Sequence, residues 1–314
     1  MTTESNKILV TDSLFIYKEH EALIEGAGYE IVRLDKPDAT KEELIANLNG
    51  AVGYILGGIE HVTDEIIREA TSLRVLSFTG SGFHEFIPGL DVATKRGIAV
   101  SAAIGGNAQA VAEYTLTLIL AMARRLPSLT SVGGKAFLTV KGFGETTVGI
   151  VGAGKIGDRV ATLAQQVGFK VLIAKTAVTD SDPHRVPLSD LLLQADIVSL
   201  HVSRPRGVGV LSRLELESLR PGASVINMSF PEAIDRAAIG SLMAEGKIYL
   251  AEDGRQAILP LPPLGSYLAS NAQTAFNTSE ANKAVSDRVT ASLLNLLATG
   301  EDPDLVNPEF KAHR

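Results

Sequence analysis

The chain has 314 residues, 45% of them hydrophobic, which is enough for about two domains with sizeable buried cores. Its 29 Lys and Arg against 36 Asp and Glu give a formal net charge of −7 with no basic tract, so nucleic acid and anionic membrane surfaces are excluded as partners. It has no cysteine, which excludes disulfides, thiolate nucleophiles and thiolate metal sites, and no metal is expected.

The first seven residues are polar, and Ile8, Leu9 and Val10 are followed at once by Thr11 and Asp12. No apolar region of a secretion signal fits there, and a cytoplasmic protein is expected. Short apolar runs at 7–10, 51–56 and 74–77 alternate with amphipathic stretches such as 63–70, the pattern of parallel βα units. Residues 107–125 read as a long apolar-rich helix whose longest apolar stretch, 116–123, stops at Arg124 and Arg125 and is far too short to cross a bilayer. Residues 126–145 carry Gly133, Gly134, Gly142 and Gly144 and read as an irregular connection. The βα alternation restarts at 148–151 and continues through apolar runs at 170–174, 197–201, 223–227 and 248–251, which together predict a dinucleotide-binding sheet. A last helix begins at Thr278 or Ser279 as N-cap, places Val285, Val289, Leu293 and Leu296 on one face, and stops at Gly300.

The clearest chemistry lies in residues 147–157, where Thr-Val-Gly-Ile-Val runs into Gly152-Ala-Gly154-Lys155-Ile156-Gly157 and then into a helix over 158–167. Gly152 permits the tight turn, Gly154 lets backbone amides approach a pyrophosphate, and Gly157 lets helix and strand pack closely, with the helix N-terminus favouring the anion. The flanking strand, the helix and the next strand at 170 favour this reading over a glycine-rich turn without a ligand. The second strand of such folds usually ends in an acid that accepts hydrogen bonds from the ribose hydroxyls; here it ends in Lys175 and Thr176. An ammonium cannot accept those bonds, but it attracts a 2′-phosphate, so NADP is expected ahead of NAD. The alternative reading of Lys175 is a solvated surface side chain.

Ala110-Val-Ala-Glu113 at the head of the long helix, the glycine loop, Asp196-Ile-Val-Ser-Leu-His201-Val202, and Asn227-Met-Ser229 followed by Asp235 together resemble, in order and spacing, the D-isomer-specific 2-hydroxyacid dehydrogenase family of the phosphoglycerate and hydroxypyruvate dehydrogenase type. The resemblance implies an α/β fold of two Rossmann-like, doubly wound domains with parallel sheets and an interdomain cleft. It implies a flavodoxin-like substrate domain from 1–104 plus 280–314, a dinucleotide-binding domain at 105–279, a homodimer and a small-molecule substrate. The family's cofactor contacts fall here on Lys155, Ile156, His201, Val202, Ser203, Asn227, Met228 and Ser229.

The catalytic positions depart from the family pattern. Where the family has an Arg that anchors the substrate carboxylate and polarises the 2-oxo group, this chain has Phe230, followed by Pro231. Phenylalanine can do neither task. Gln273 stands at the place of the proton-shuttling His, and an amide has no useful pKa for that work. The acidic partner, counted forward without gaps, falls on Leu259. Ordinary 2-oxo acid reduction is therefore not expected.

The loop matching the family's substrate loop contains Gly80, Ser81 and Gly82, followed by His84 and Glu85, which become candidates for proton transfer. Glu252 and Asp253 are further acid candidates, and Arg255 is a candidate for a displaced carboxylate anchor. Each of these also reads as an ordinary solvated loop side chain. The run Pro260-Leu-Pro-Pro263 reads equally as a simple turn or, with Phe230, as the wall for a less polar substrate such as one with a C=N or conjugated C=C bond. Two classes of function stand: an NAD(P)H-dependent oxidoreductase with a displaced proton donor, or a catalytically silent dinucleotide-binding protein. An ordinary 2-hydroxyacid dehydrogenase ranks third.

Overall fold

Ile8 and Val10 are buried on one side of a strand and Leu9 on the other, which puts β1 (Lys7–Thr11) in the middle of a sheet covered on both faces. The computed structural model describes residues 6–12, 16–36, 38–131, 138–174, 185–203 and 210–314. Lys175 and Thr176, the residues assigned to a 2′-phosphate, lie outside them.

The first sheet is wholly parallel, with β2 (Glu30–Leu34), β3 (Ala51–Leu56), β4 (Val75–Phe78) and β5 (Ala99–Ala102) in the order β2-β1-β3-β4-β5. One face packs against the helix Ser279–Thr299, whose Val285, Val289, Leu293 and Leu296 meet Ile8, Val10, Val52 and Val75. The side chain of Thr278 accepts from the amide of Ala281 at 3.2 Å, and Gly300 ends the helix at φ 74°. The other face is covered by helices Lys41–Leu48, Asp64–Glu69 and Leu90–Lys95.

The second sheet contains β6 (Thr147–Val151), β7 (Lys170–Ala174), β8 (Arg185–Val186), β9 (Ile197–Leu200), β10 (Ala223–Asn227), β11 (Ile248–Glu252) and β12 (Tyr267–Ala269). All its pairings are parallel, in the order β12-β11-β10-β9-β6-β7-β8. The direction of winding reverses between β6 and β9, the switch point at which open α/β sheets take their ligands. Helices Ala108–Ala123 and Gly157–Val167 cover one face, and Leu188–Gln194, Arg213–Glu217 and Arg236–Ala244 the other. The chain divides into two compact units, Met1–Asn107 with Thr278–Arg314, and Ala108–Asn277. The fold is α/β with two doubly wound parallel sheets.

Four strands are absent from the apolar pattern of the sequence. β2 and β12 have no fully buried residue, β8 has two residues, and β5 is Ala-Val-Ser-Ala, whose small side chains give little hydrophobic signal although all four are buried. The stretch expected to be irregular begins with a short helix, Leu126–Ser131, and ends with a 3₁₀ turn at Phe143–Glu145. Thr130 stabilises the former by donating its hydroxyl to the carbonyl of Leu126 at 2.9 Å.

Candidate dinucleotide site and its surroundings

The turn after β6 is built from close backbone approaches. Gly152 has φ 99°, and a Cβ on it would stand 2.4 Å from the carbonyl oxygen of His201. A Cβ on Gly157 would stand 2.0 Å from the carbonyl oxygen of Gly152. These two glycines are required by the protein's own packing. Gly154 is different: nothing lies within 4 Å of where its Cβ would be. Its lack of a side chain serves open space beside the start of an 11-residue helix, which fits a pyrophosphate group there. Lys155 is exposed next to it, and Ile156 is partly buried.

Across the switch point, His201, Val202 and Ser203 follow β9, and Asn227, Met228 and Ser229 end β10 and begin its turn. One bond ties these segments together, the amide of Val202 donating to Oγ of Ser229 at 2.9 Å, and within the second segment the amide of Ser229 donates to Oδ1 of Asn227 at 3.0 Å. The His201 ring lies 2.9 Å from Oγ of Ser199 through Nε2, and its Nδ1 is buried with no hydrogen-bond partner among the described residues. Burial pushes its pKa down to about 3, so the imidazole is neutral at ordinary pH.

Phe230 is partly buried and packs on the hydrophobic core of this unit. Its carbonyl accepts from Nδ2 of Asn227 at 3.1 Å. Glu252 pairs with Asn227 in the sheet register and is 2% exposed. Arg236 grips it through two bonds, Nη1 to Oε1 at 2.6 Å and Nη2 to Oε2 at 3.2 Å, and the Tyr267 hydroxyl donates to Oε2 at 2.8 Å. Burial, with the adjacent carboxylate, raises the Tyr267 pKa and keeps that hydroxyl a donor. Glu252 is thus enclosed in a saturated ion pair.

Asp253 is committed as well. It accepts from the amides of Thr274 at 2.8 Å and Ala275 at 3.0 Å and from Oγ of Ser270 at 3.1 Å, so it pins the segment that contains Gln273. Gln273 is exposed and abuts Gly254, where an added Cβ would lie 3.0 Å from its Cγ. The exposed guanidinium of Arg255 lies 5.3 Å above the Tyr267 ring. Leu259 is 74% exposed. Arg236 and Tyr267, which decide the state of Glu252, were not singled out by sequence reasoning, because nothing in their spacing marks them as partners.

In the other unit, Gly80, Ser81 and Gly82 follow β4, and His84 and Glu85 sit in the short helix Phe83–Phe86 with exposed side chains. Oγ of Ser81 accepts from the amide of Gly105 at 2.9 Å, and a Cβ on Gly80 would meet the Phe78 ring at 2.9 Å. The His84 ring lies 4.0 Å from that of Phe83. Adjacent positions on a helix do not face each other, and no ion pair joins His84 to Glu85 among the described residues. No cluster of His, Asp or Glu suited to a metal occurs among the described residues, and no helix there is long and apolar enough to cross a membrane.

Residues 116–253 match the family model described as D-isomer specific 2-hydroxyacid dehydrogenase, NAD binding domain. That stretch is similar to the NAD-binding domain of this family. The chain is 28% identical over 253 residues to the D-3-phosphoglycerate dehydrogenase of Sus scrofa, an alignment covering 77% of this chain and 46% of that protein, so the chain spans about half the length of the curated relatives it matches. Among solved structures, the TT0316 protein of Thermus thermophilus superposes with a TM-score of 0.82 at 26% identity, covering 96% of this chain and 99% of that one. An acyclic imino acid reductase solved with NADPH and D-Arg has the same TM-score and coverage at 20% identity, a likeness of fold alone.

The enclosed acid and the buried histidine each give an expected outcome. Arg236→Met leaves Glu252 buried without its cation and should cost roughly 3 kcal/mol in urea unfolding, much of it recovered in Arg236→Met/Glu252→Gln. A free catalytic carboxylate at Glu252 would instead leave stability unchanged in the single variant. For His201, the unfolded chain takes up a proton near the ordinary value of 6.5 and the folded chain only near about 3. Its contribution is therefore fully present above the unfolded value and is lost as pH falls towards the folded one. In NMR titration the His201 ring signals should stay at their neutral positions from pH 8 down to roughly pH 5, whereas a midpoint near 6.5 would show that the ring is solvated.

Proposed function

We propose that the protein is an oxidoreductase that uses a nicotinamide dinucleotide to reduce a C=N or conjugated C=C bond in a small molecule, and that it does not reduce ordinary 2-oxo acids. The observation that carries this reading is the turn after β10. There an aromatic side chain, Phe230, follows the Asn-Met-Ser segment, and Glu252, which pairs with Asn227 in the sheet register, is held in an ion pair by Arg236. Neither group can hold a substrate carboxylate or polarise a carbonyl oxygen, a loss expected to remove several kcal/mol of charge stabilisation from 2-oxo acid reduction.

A bound nicotinamide supplies the hydride. The chain's own residues bind, orient and protonate. The amides around Gly154 and the start of helix Gly157–Val167 hold the pyrophosphate, and His201 to Ser203 with Asn227 to Ser229 border the dinucleotide. Glu252 accepts from Nδ2 of Asn227 at 3.5 Å, and Asp253 pins the segment that contains Gln273. His84 and Glu85, both exposed, are the proton-donor candidates. The family resemblance supports a homodimer, and the sequence supports a cytoplasmic protein. The imino acid reductase with a similar fold supports the C=N reading as analogy.

Lys175 and Thr176 favour the 2′-phosphate of NADP. Lys175→Glu should therefore weaken NADPH binding at least about tenfold, a change of about 1.4 kcal/mol, with little effect on NADH. Equal effects on both would remove the 2′-phosphate assignment. The reading as a whole is tested by following oxidation of the tighter cofactor against imines, conjugated enones and 2-oxo acids. Turnover is expected with imines or enones; turnover confined to 2-oxo acids would overturn it, and tight binding with no turnover would favour the silent dinucleotide-binding protein.

A further inference from the structure

The second unit has a cavity of about 240 Å³ at the amino ends of its strands, remote from the glycine loop at the carboxyl end of β6. Thr146, Ile197 and Ala223, at or beside the starts of β6, β9 and β10, form part of its wall. Its charged lining is Arg125, Lys141, Arg220 and Asp196. Asp196 is already shared: Nζ of Lys141 lies 2.7 Å and Nη1 of Arg220 lies 3.5 Å from the same oxygen, Oδ1, while the amide of Thr147 donates to Oδ2 at 2.9 Å. Burial alone would raise the Asp196 carboxyl, but Lys141, the Thr147 amide and Arg220 hold it below the ordinary carboxylate value.

One carboxylate thus faces three cations. Among the described residues, Arg125 has neutral partners in direct contact: Oγ of Ser224 at 3.1 Å, the carbonyl of Gly222, and the Tyr249 ring, whose centroid lies 3.8 Å from the guanidinium carbon. Burial lowers its pKa, the mark of a guanidinium whose desolvation is not fully offset. Its backbone is also unusual. Just beyond helix Ala108–Ala123, where glycine is the usual residue in a left-handed conformation, Arg125 has φ 54°. Among the described non-glycine residues only Asp12 shares a positive φ, a conformation that costs about 1 kcal/mol. The guanidinium-bearing residue lines the cavity wall.

We propose that this cavity is a binding site for a small phosphate monoester, with Lys141 and Arg220 contacting the phosphate and Arg125 supplying the field behind it. Two cationic heads converge on one oxygen position, which suits a dianion whose charges sit on one compact group better than a dicarboxylate whose charges are apart. Met122, Val140 and Ile197 add an apolar wall for the organic body. Asp196 occupies the contact in the absence of ligand and is displaced from it on binding.

The test is calorimetric titration of the full chain with phenyl phosphate, inorganic phosphate and succinate at low ionic strength. Phenyl phosphate should bind at one site and more tightly than the other two. Lys141→Gln and Arg220→Gln, whose side chains are about half exposed, should each weaken it about tenfold, and Asp196→Asn should tighten it. Phenyl phosphate should also slow acetylation of Lys141 in the unmutated protein, a readout that needs no variant to fold. Binding undiminished in Lys141→Gln/Arg220→Gln would place the anion elsewhere and overturn the proposal, as would succinate binding more tightly than phenyl phosphate, or an unchanged acetylation rate.

Discussion

The second unit depends on a close approach between backbones that only glycine allows. The position of a Cβ on Gly157 lies 2.0 Å from the carbonyl oxygen of Gly152, and one on Gly152 lies 2.4 Å from that of His201. Through these two contacts the helix Gly157–Val167, the end of β6 and the end of β9 are drawn to one point at the switch in winding. That contact leaves Gly154 facing open space, and it carries His201 into a place where its ring is too buried to hold a proton. Packing and ligand geometry at this point are therefore one constraint, because the turn that joins strand to helix is also the turn that exposes backbone amides.

Around β10 and β11 the charges are turned inward. Glu252, Arg236 and Tyr267 satisfy one another, and Asp253 spends its acceptors on the amides of Thr274 and Ala275. Burying one half of such a pair alone would be costly, so the arrangement fixes the ends of the strands without offering a free charge to a substrate. Phe230, packed on the core beside it, continues that logic. At the opposite end of the same sheet the balance is reversed: one carboxylate serves three cations, and the excess charge faces a cavity.

The sequence carried the alternation of strand and helix well where side chains are large and buried. The runs at 51–56, 170–174 and 223–227 coincide with strands β3, β7 and β10, and Thr278 caps the last helix. It missed β2, β5, β8 and β12, since edge strands, short strands and strands of alanine and serine carry little periodic hydrophobic signal. The glycine loop was legible because its requirement is local: three glycines within six residues meet steric demands set by their own turn.

By itself, then, the sequence determined the class of fold, the place of the glycine turn between strand and helix and the absence of an arginine at Phe230, all properties of residue identity and short-range spacing. The tertiary structure decided the state of the charged groups. Glu252 and Asp253 read equally as acids or as solvated side chains until Arg236, Tyr267 and the amides of 274 and 275 were brought to them from 15 to 22 positions away. The same holds for His201, made neutral by burial, and for Arg125, Lys141 and Arg220, which are distant in the chain and share a cavity only in the fold. Whether an ionisable group is a reagent or a strut depends on its desolvation and its partners, and both are set by contacts between segments that the order of residues does not display.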